Sequence, residues 1–239
     1  MEKSKLEKFI TKYNLGGSCE SVTLLSDGTK LSVRSISDDK NVLAEVSCVD
    51  MGFPPGEFSI YETKKLRSLL GVLNETLQVT TNSNNGKVVG VNMSDSDTKT
   101  TFVLADDSVI PKVPEIKKLP NFDVEIILDE KFVNTFSRAK SALSEVDTFT
   151  VTSDGTETNV VIGYSTLNTN RINITVNTKS AAKINPINFS ANYLKEVLLS
   201  NKEIKNGSLK VSSHGISVAE FSGDGFTSKY YLVQIDTKD

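Results

Sequence analysis

The sequence predicts an α+β protein built from four copies of one small unit, because an apolar helical stripe is followed four times by a glycine turn. The stripes begin at Leu6, Leu66, Phe132 and Leu194, and the turn glycines are Gly28, Gly86, Gly155 and Gly215. The separations between them are 22, 20, 23 and 21 residues. A nearly constant separation is typical of a repeated supersecondary unit.

Each copy reads as strand, helix, hairpin and closing strand, most clearly in the second copy. A strand at residues 57–61 leads into a helix at 62–73, in which Leu66, Leu69, Leu70 and Leu73 follow the spacing of an amphipathic helix. The tripeptide Asn84-Asn85-Gly86 then separates two alternating runs, which predicts a hairpin. Residues 100–104 form the closing strand.

The other three copies repeat this order with one exception. Helices are predicted at residues 3–12, 130–142 and 190–200, and closing strands at 42–49, 171–177 and 230–235. No opening strand is evident before Lys5 in the first copy.

A proline-rich stretch interrupts the repeats between the second and third copies. Pro111, Pro114 and Pro120 exclude a helix interior or a central strand there. We therefore predict two similar domains of two copies each, at residues 1–107 and 122–239, joined by a linker at 108–121.

Charge is unevenly distributed between the predicted helices and the remainder of the chain. The chain has a net charge of −3, whereas the four helices carry eleven basic and four acidic residues, which leaves −10 elsewhere. A helix with one apolar face and one basic face is suited to contact phosphates. The same pattern is also found on ordinary solvated helices.

The sequence shows few elements of enzyme chemistry. Its single histidine, His214, lies beside a turn glycine, and Cys19 and Cys48 are interpreted as reduced thiols of a cytosolic protein rather than a disulfide. We find no phosphate-binding loop, nucleophile elbow or metal-ligand motif, no signal peptide and no apolar run of the ~20 residues that a membrane helix needs. On these residues we expect no cofactor and no metal.

Two alternatives remain open on the residues alone. Aspartates in turns, such as Asp106 and Asp107, could hold the metal of a nucleic-acid enzyme. A virion or scaffold protein built from repeats would also show the fourfold pattern.

Four short segments are the most specific part of the chain: residues 24–28 (LLSDG), 42–46 (VLAEV), 60–62 (IYE) and 70–73 (LGVL). Through these segments, the basic helices, the fourfold units and the proline-rich linker, the chain resembles the DNA sliding clamp of T-even-type tailed bacteriophages, within the superfamily of clamps like proliferating cell nuclear antigen. The resemblance implies a DNA clamp (processivity) fold, with sheets outside and helices inside a ring of six domains, and hence three chains. The eukaryotic and archaeal clamp type, also a two-domain trimer, is a close alternative. The three-domain bacterial type is excluded by length.

The resemblance further implies a function and a set of partners. The expected function is a processivity factor that encircles double-stranded DNA without sequence preference and tethers the replicative DNA polymerase, with late-transcription coactivation as a further role in related phages. A clamp of this kind is not an enzyme, so the resemblance implies no enzymatic activity. The expected partners are the tails of polymerase and clamp loader, and the expected location is the cytoplasm of an infected bacterial host.

Three sets of site residues follow from the charge pattern together with the resemblance. The DNA-facing set is Lys5, Lys8, Lys12, Lys64, Lys65, Arg67, Lys131, Arg138, Lys140 and Lys195. The partner-peptide pocket is expected at Ile36, Val42, Val109, Ile110, Val113, Ile116, Tyr230 and Leu232. The subunit interface is expected at Thr100, Phe102, Leu104, Ile172, Ile174 and Val176.

Overall fold

The computed structural model describes residues 1–165, 167, 169–205 and 207–236. Its helices are α1 (Lys3–Asn14), α2 (Thr63–Gly71), α3 (Glu130–Ala142) and α4 (Ala191–Ser200). Its strands are β1 (Val22–Ser26), β2 (Lys30–Ile36), β3 (Val42–Val49), β4 (Gly56–Ile60), β5 (Gln78–Asn84), β6 (Lys87–Ser94), β7 (Lys99–Val103), β8 (Val124–Leu128), β9 (Thr148–Asp154), β10 (Thr158–Ile162), β11 (Ile172–Thr175), β12 (Thr178–Ala181), β13 (Lys183–Ser190), β14 (Gly207–Ser212), β15 (Ile216–Gly223) and β16 (Phe226–Val233).

The chain divides into two compact units. The first comprises Met1–Asp38, Leu43–Pro114 and Gly223–Ser228, and the second comprises Asp39–Val42, Glu115–Ser222 and Lys229–Asp239. The predicted linker is therefore shared, with residues 108–114 in the first unit and 115–121 in the second. The boundaries 1–107 and 122–239 stay a prediction.

The first unit contains two antiparallel sheets and two helices. One sheet has the order β3-β2-β1-β4 and the other β5-β6-β7. The inward faces are apolar, and β2 pairs with β3 through Val33 opposite Val46. Helices α1 and α2 contact each other. Phe9, Ile10 and Leu70 from these helices are fully buried in the core.

The second unit repeats this arrangement with α3 and α4. Its sheets have the orders β11-β10-β9-β13 and β12-β8-β14-β15-β16, and only residues 229–233 of β16 belong to this unit. A chain of aromatic contacts joins helix and sheet: Phe136 and Phe149 have ring centroids 5.6 Å apart, and Phe149 and Phe189 are also 5.6 Å apart. The apolar stripe predicted for α3 therefore faces its sheet.

The α+β class predicted from the repeats is confirmed, with differences at particular elements. Helix α2 ends at Gly71, two residues before the predicted end. Strand β12 was not predicted, because its four residues, Thr-Lys-Ser-Ala, show no apolar alternation. The first copy has only an isolated bridge between Glu2 and Thr76 where an opening strand would lie.

Candidate nucleic-acid interface and partner sites

Helices α1 and α2 of the first unit carry several exposed basic residues. Lys8, Lys64, Lys65 and Arg67 are exposed, whereas Leu66 and Leu70 of α2 are buried. Helix α2 thus separates an apolar face from a basic one, as its sequence predicts. Four of the predicted DNA-facing residues are accessible in this unit.

A carboxylate from a distant segment fixes the start of α2. The Glu20 Oε2 atom accepts a hydrogen bond from the Lys64 backbone N–H at 2.8 Å, and Glu20 Oε1 accepts one from Asn14 Nδ2 at 3.0 Å. The backbone oxygen of Glu20 also accepts from the Thr63 hydroxyl at 2.8 Å. The sequence gives no signal for this role of Glu20, because a cap supplied from more than forty positions away leaves no local pattern.

An open groove of about 870 Å³ lies beside these residues, between α1 and α2. Its lining is polar and of mixed charge: Glu7, Thr11, Asn14, Gly16, Gly17, Glu20, Lys64, Arg67 and Ser68. The basic surface of this unit is therefore interrupted by two carboxylates, Glu7 of α1 and Glu20, and the helix sequences alone do not show Glu20.

Lys12 was predicted to face DNA, and this prediction is wrong. Its side chain is completely buried, and its Nζ atom lies 5.2 Å from the ring centroid of Phe226. Because long lysine stems bury apolar surface readily, spacing along a helix did not distinguish this position from Lys8.

Lys5, on the same face of α1, is half-buried. Its Nζ atom donates to the backbone oxygens of Val49 and Asp50, both at 3.0 Å. Lys5 therefore fastens α1 to the end of β3, and its charge is less available to a ligand than that of Lys8.

In the second unit, Lys131 and Arg138 are exposed on α3 and Lys195 is half-buried on α4. The Lys195 Nζ atom donates to the Ser141 hydroxyl at 3.3 Å. The prediction that Lys140 faces DNA is wrong. It is 5% exposed and donates to the Ser144 backbone oxygen at 2.8 Å, just beyond the end of α3.

The two strands predicted to meet at a subunit interface both lie at sheet edges. Strand β7 ends the sheet β5-β6-β7, and β11 ends the sheet β11-β10-β9-β13. Thr100, Phe102 and Ile174 are buried inside their own units, while Leu104, Ile172 and Val176 are half-buried. A contact at these strands would therefore use the open backbone edges, and the interface stays a prediction.

Hydrogen-bond alternation shows which backbone groups those edges present. Leu104 donates to Val89 and Val176 donates to Thr158 inside their sheets. Because donors alternate along an antiparallel strand, the N–H groups of Val103 and Thr175 point away from their own sheets.

The predicted partner-peptide pocket is only partly accessible. Val42, Tyr230 and Leu232 were expected to form walls, but all three are completely buried. The Tyr230 hydroxyl accepts a hydrogen bond from Asn201 Nδ2 at 2.9 Å, inside the second unit. These three assignments are wrong, because these apolar residues of β3 and β16 face the core. Ile36 is half-buried.

The linker residues of the same prediction are accessible to different extents. Val109 is 52% exposed. Ile110, Val113 and Ile116 are half-buried, whereas the residues between them are exposed. The linker therefore has a regular pattern of burial that its prolines do not reveal by themselves.

Asp106 and Asp107, the aspartates considered for a metal, have other partners. Both lie within ion-pair distance of Lys87, at 3.4 and 3.9 Å, and Asp106 also caps a short 3₁₀ helix by accepting from Ser108 N–H at 3.0 Å. This backbone bond is the main cause that lowers the pKa of Asp106. Among the described residues, no group of three or more His, Cys, Asp or Glu side chains is arranged to hold a metal. None of the described helices has the length and apolar character needed to cross a bilayer.

Comparison with known proteins identifies the fold. Neither a protein-family model nor a curated protein sequence matches the chain. The structure is similar to the crystal structure of proliferating cellular nuclear antigen from Entamoeba histolytica, with a TM-score of 0.75 and 14% sequence identity over 98% of this chain and 96% of that one. The predicted clamp fold is therefore confirmed along nearly the whole chain: it is the fold of proliferating cellular nuclear antigen.

Proposed function

We propose that this protein is a sliding clamp, a ring that encircles duplex DNA and holds a replicative DNA polymerase on its template. The observation that carries the proposal is the match to a clamp fold over 98% of the chain. Exposed basic residues on α1 and α2 of the first unit, and on α3 of the second, give each unit a surface suited to that task.

Electrostatics explains how such a surface would act. Lysine and arginine side chains attract phosphates regardless of base sequence, and this attraction is screened by salt. A ring held by topology needs only weak contacts of this kind, because it must move along the duplex. The proposed role therefore requires no catalytic group, and we propose that the protein is not an enzyme.

We propose that three chains form the ring. Each chain supplies two compact units with similar elements, so three chains supply six. Open sheet edges tend to recruit a further strand, and closing a ring removes them. Strands β7 and β11 would provide these edges.

More specifically, we propose that the protein is a clamp of the T-even phage type and acts in the cytoplasm of the infected bacterium. Its proposed partners are the tails of polymerase and clamp loader, bound beside the linker, with late-transcription coactivation as an additional role. This assignment rests on the residues at 24–28, 42–46, 60–62 and 70–73.

Light scattering on the purified chain tests the ring. Three chains of 26.1 kDa predict a mass of about 78 kDa. A second assay compares retention on circular and linearised duplex DNA after loading. A ring stays on the circle and slides from the open ends, whereas equal retention on both, or a monomer at every concentration, would contradict the proposal.

A further inference from the structure

The residues just before the linker are bound to the first unit by several contacts. The Ser59 hydroxyl on β4 donates to Asp107 Oδ1 at 2.5 Å, and the Ala105 N–H donates to the Ser59 backbone oxygen at 2.8 Å. The Lys87 Nζ atom on β6 is paired with Asp106 at 3.4 Å. The segment therefore leaves β7 in a defined position.

A second fastening lies at Pro114. The Arg34 Nη2 atom donates to the Pro114 backbone oxygen at 2.7 Å, and Arg34 Nε donates to Glu45 Oε1 at 3.0 Å. Arg34 and Glu45 are opposite each other on β2 and β3. Their side chains are 36% and 33% exposed, so the pair is partly shielded from solvent.

In the linker from Ile110 to Leu119, every third side chain is half-buried. Ile110, Val113, Ile116 and Leu119 are half-buried, and the positions between Ile110 and Leu119 are otherwise exposed. A period of three is that of polyproline II helix, and Ile110 has φ −86° and ψ 132°, close to that conformation. Prolines at the next position restrict both Ile110 and Val113 to extended backbone.

A polyproline II segment has no internal hydrogen bonds, so outside contacts alone determine where it lies. The prolines make the segment stiff, and a stiff segment attached at one end pivots about that end. Two attachments, at Asp107 and Pro114, stop this motion. The second attachment therefore determines which way Val113 faces, whereas Ile110 is also held by its own N–H group, which donates to the Asp107 backbone oxygen at 3.2 Å.

We infer that Arg34, oriented by Glu45, is a positioning residue for the partner site: it holds the linker at Pro114 and thereby presents Ile110 and Val113 to an apolar peptide tail. The identity of the ligand rests on the proposed function. The attachment of the linker to Arg34 at Pro114 does not depend on that function. Lysine cannot replace Arg34, because one guanidinium serves the carboxylate and the carbonyl together while an ammonium is a single charged point.

The rate of trypsin cleavage after the exposed Lys112 reports, in the intact protein, how often the linker is released from Arg34. Arg34→Ala and Arg34→Lys are expected to speed this cleavage roughly tenfold, the factor that corresponds to 1.4 kcal/mol, because cleavage follows the population of the released segment. Glu45→Gln should give a smaller increase. Lys30→Ala, which removes an exposed cation from the same strand as Arg34, is the matched control and should cleave at the wild-type rate.

The second measurement is the affinity of a short synthetic peptide with apolar side chains, which stands for the polymerase tail of the proposed function. The positioning role predicts weaker binding to Arg34→Ala and Arg34→Lys, with the thermal midpoint unchanged. If trypsin cleaves Arg34→Ala and Lys30→Ala after Lys112 at the same rate, Arg34 does not hold the linker at Pro114. Faster cleavage with unchanged peptide affinity overturns the positioning role. If the wild type binds no peptide while cleavage still accelerates, the fastening stands and the proposed partner site is wrong.

Discussion

Glu20 caps helix α2 through the backbone of Lys64, with Oε2 accepting from the N–H group at 2.8 Å. The residue at the N-cap position itself, Glu62, makes no side-chain capping bond. The other carboxylate oxygen of Glu20 is held by Asn14, the last residue of α1. One carboxylate therefore links the end of α1 to the beginning of α2 and sets the placement of Lys64 and Arg67.

Removing this cap should destabilise the first unit. Glu20→Ala is expected to lower the free energy of unfolding by about 0.5–2 kcal/mol, the usual range for a helix that loses its cap, and Glu20→Gln by less because an acceptor remains. Urea unfolding measures the change. Glu62→Gln is the matched control and should be nearly neutral, so an equal loss in both variants would argue against the assigned cap.

Acid should weaken the first hairpin through Asp27. The N–H of Lys30 and the hydroxyl and N–H of Thr29 lower the pKa of Asp27 to about 2, from an ordinary value of 3.8. Because the folded pKa lies below the unfolded one, the stabilisation is present above 3.8 and is lost as pH falls towards 2. Asp27→Asn keeps an acceptor but removes the charge.

The difference in unfolding free energy between wild type and Asp27→Asn should therefore be constant above about pH 5 and should disappear at about pH 2. Urea titrations across this range measure it, and NMR titration of the Asp27 carboxyl reports the pKa directly. A difference that does not change with pH would show that the charge makes no contribution in the turn.

The repeats predicted the fold well because each copy contains local signals. The stripe of Phe132 and Phe136 and the turn at Gly155 require only neighbouring residues to be interpreted, and α3 has the predicted bounds. The candidate sites were less predictable because they depend on contacts between distant segments. Lys12 and Lys8 both lie off the apolar stripe of α1, yet Phe226 covers only Lys12.

Lys12 and Lys8 should therefore respond differently to substitution. Lys12→Ala is expected to cost about 1–3 kcal/mol of stability, because it removes a buried stem and a cation–π contact. Lys12→Met restores the stem and should recover part of the loss. Lys8→Ala should change stability by less than about 0.5 kcal/mol. Thermal unfolding of the three variants checks this, and a stable Lys12→Ala protein would refute the structural role.

Proline at the open strand edges should separate the subunits without unfolding them. The N–H groups of Val103 and Thr175 point away from their own sheets, so Val103→Pro and Thr175→Pro each remove a donor that only a partner strand could use. Ile174→Pro, by contrast, would break a bond to β10 and should also reduce stability. Light scattering and circular dichroism distinguish these effects. Edge variants that stay folded and trimeric would place the interface elsewhere.

Reversing exposed charges on α1 and α2 should weaken the attraction for DNA while leaving the ring intact. Lys8, Lys64 and Arg67 are exposed in the first unit, so replacing all three by glutamate should cost little stability. If they face phosphates, duplex affinity should fall, and the slope of its logarithm against log salt should flatten by about 0.9 for each phosphate that the protein no longer neutralises.

The matched control is a triple reversal at exposed lysines outside the helices: Lys30, Lys40 and Lys183. Both triples change the net charge equally, so long-range repulsion from DNA is the same and only local contacts differ. Polymerase stimulation and duplex binding should fall in the helix triple and change little in the control. Equal losses in the two triples would mean that total charge, rather than the helix face, governs contact with DNA. Equal stimulation by the helix triple and the wild type would exclude these residues from the DNA-facing surface.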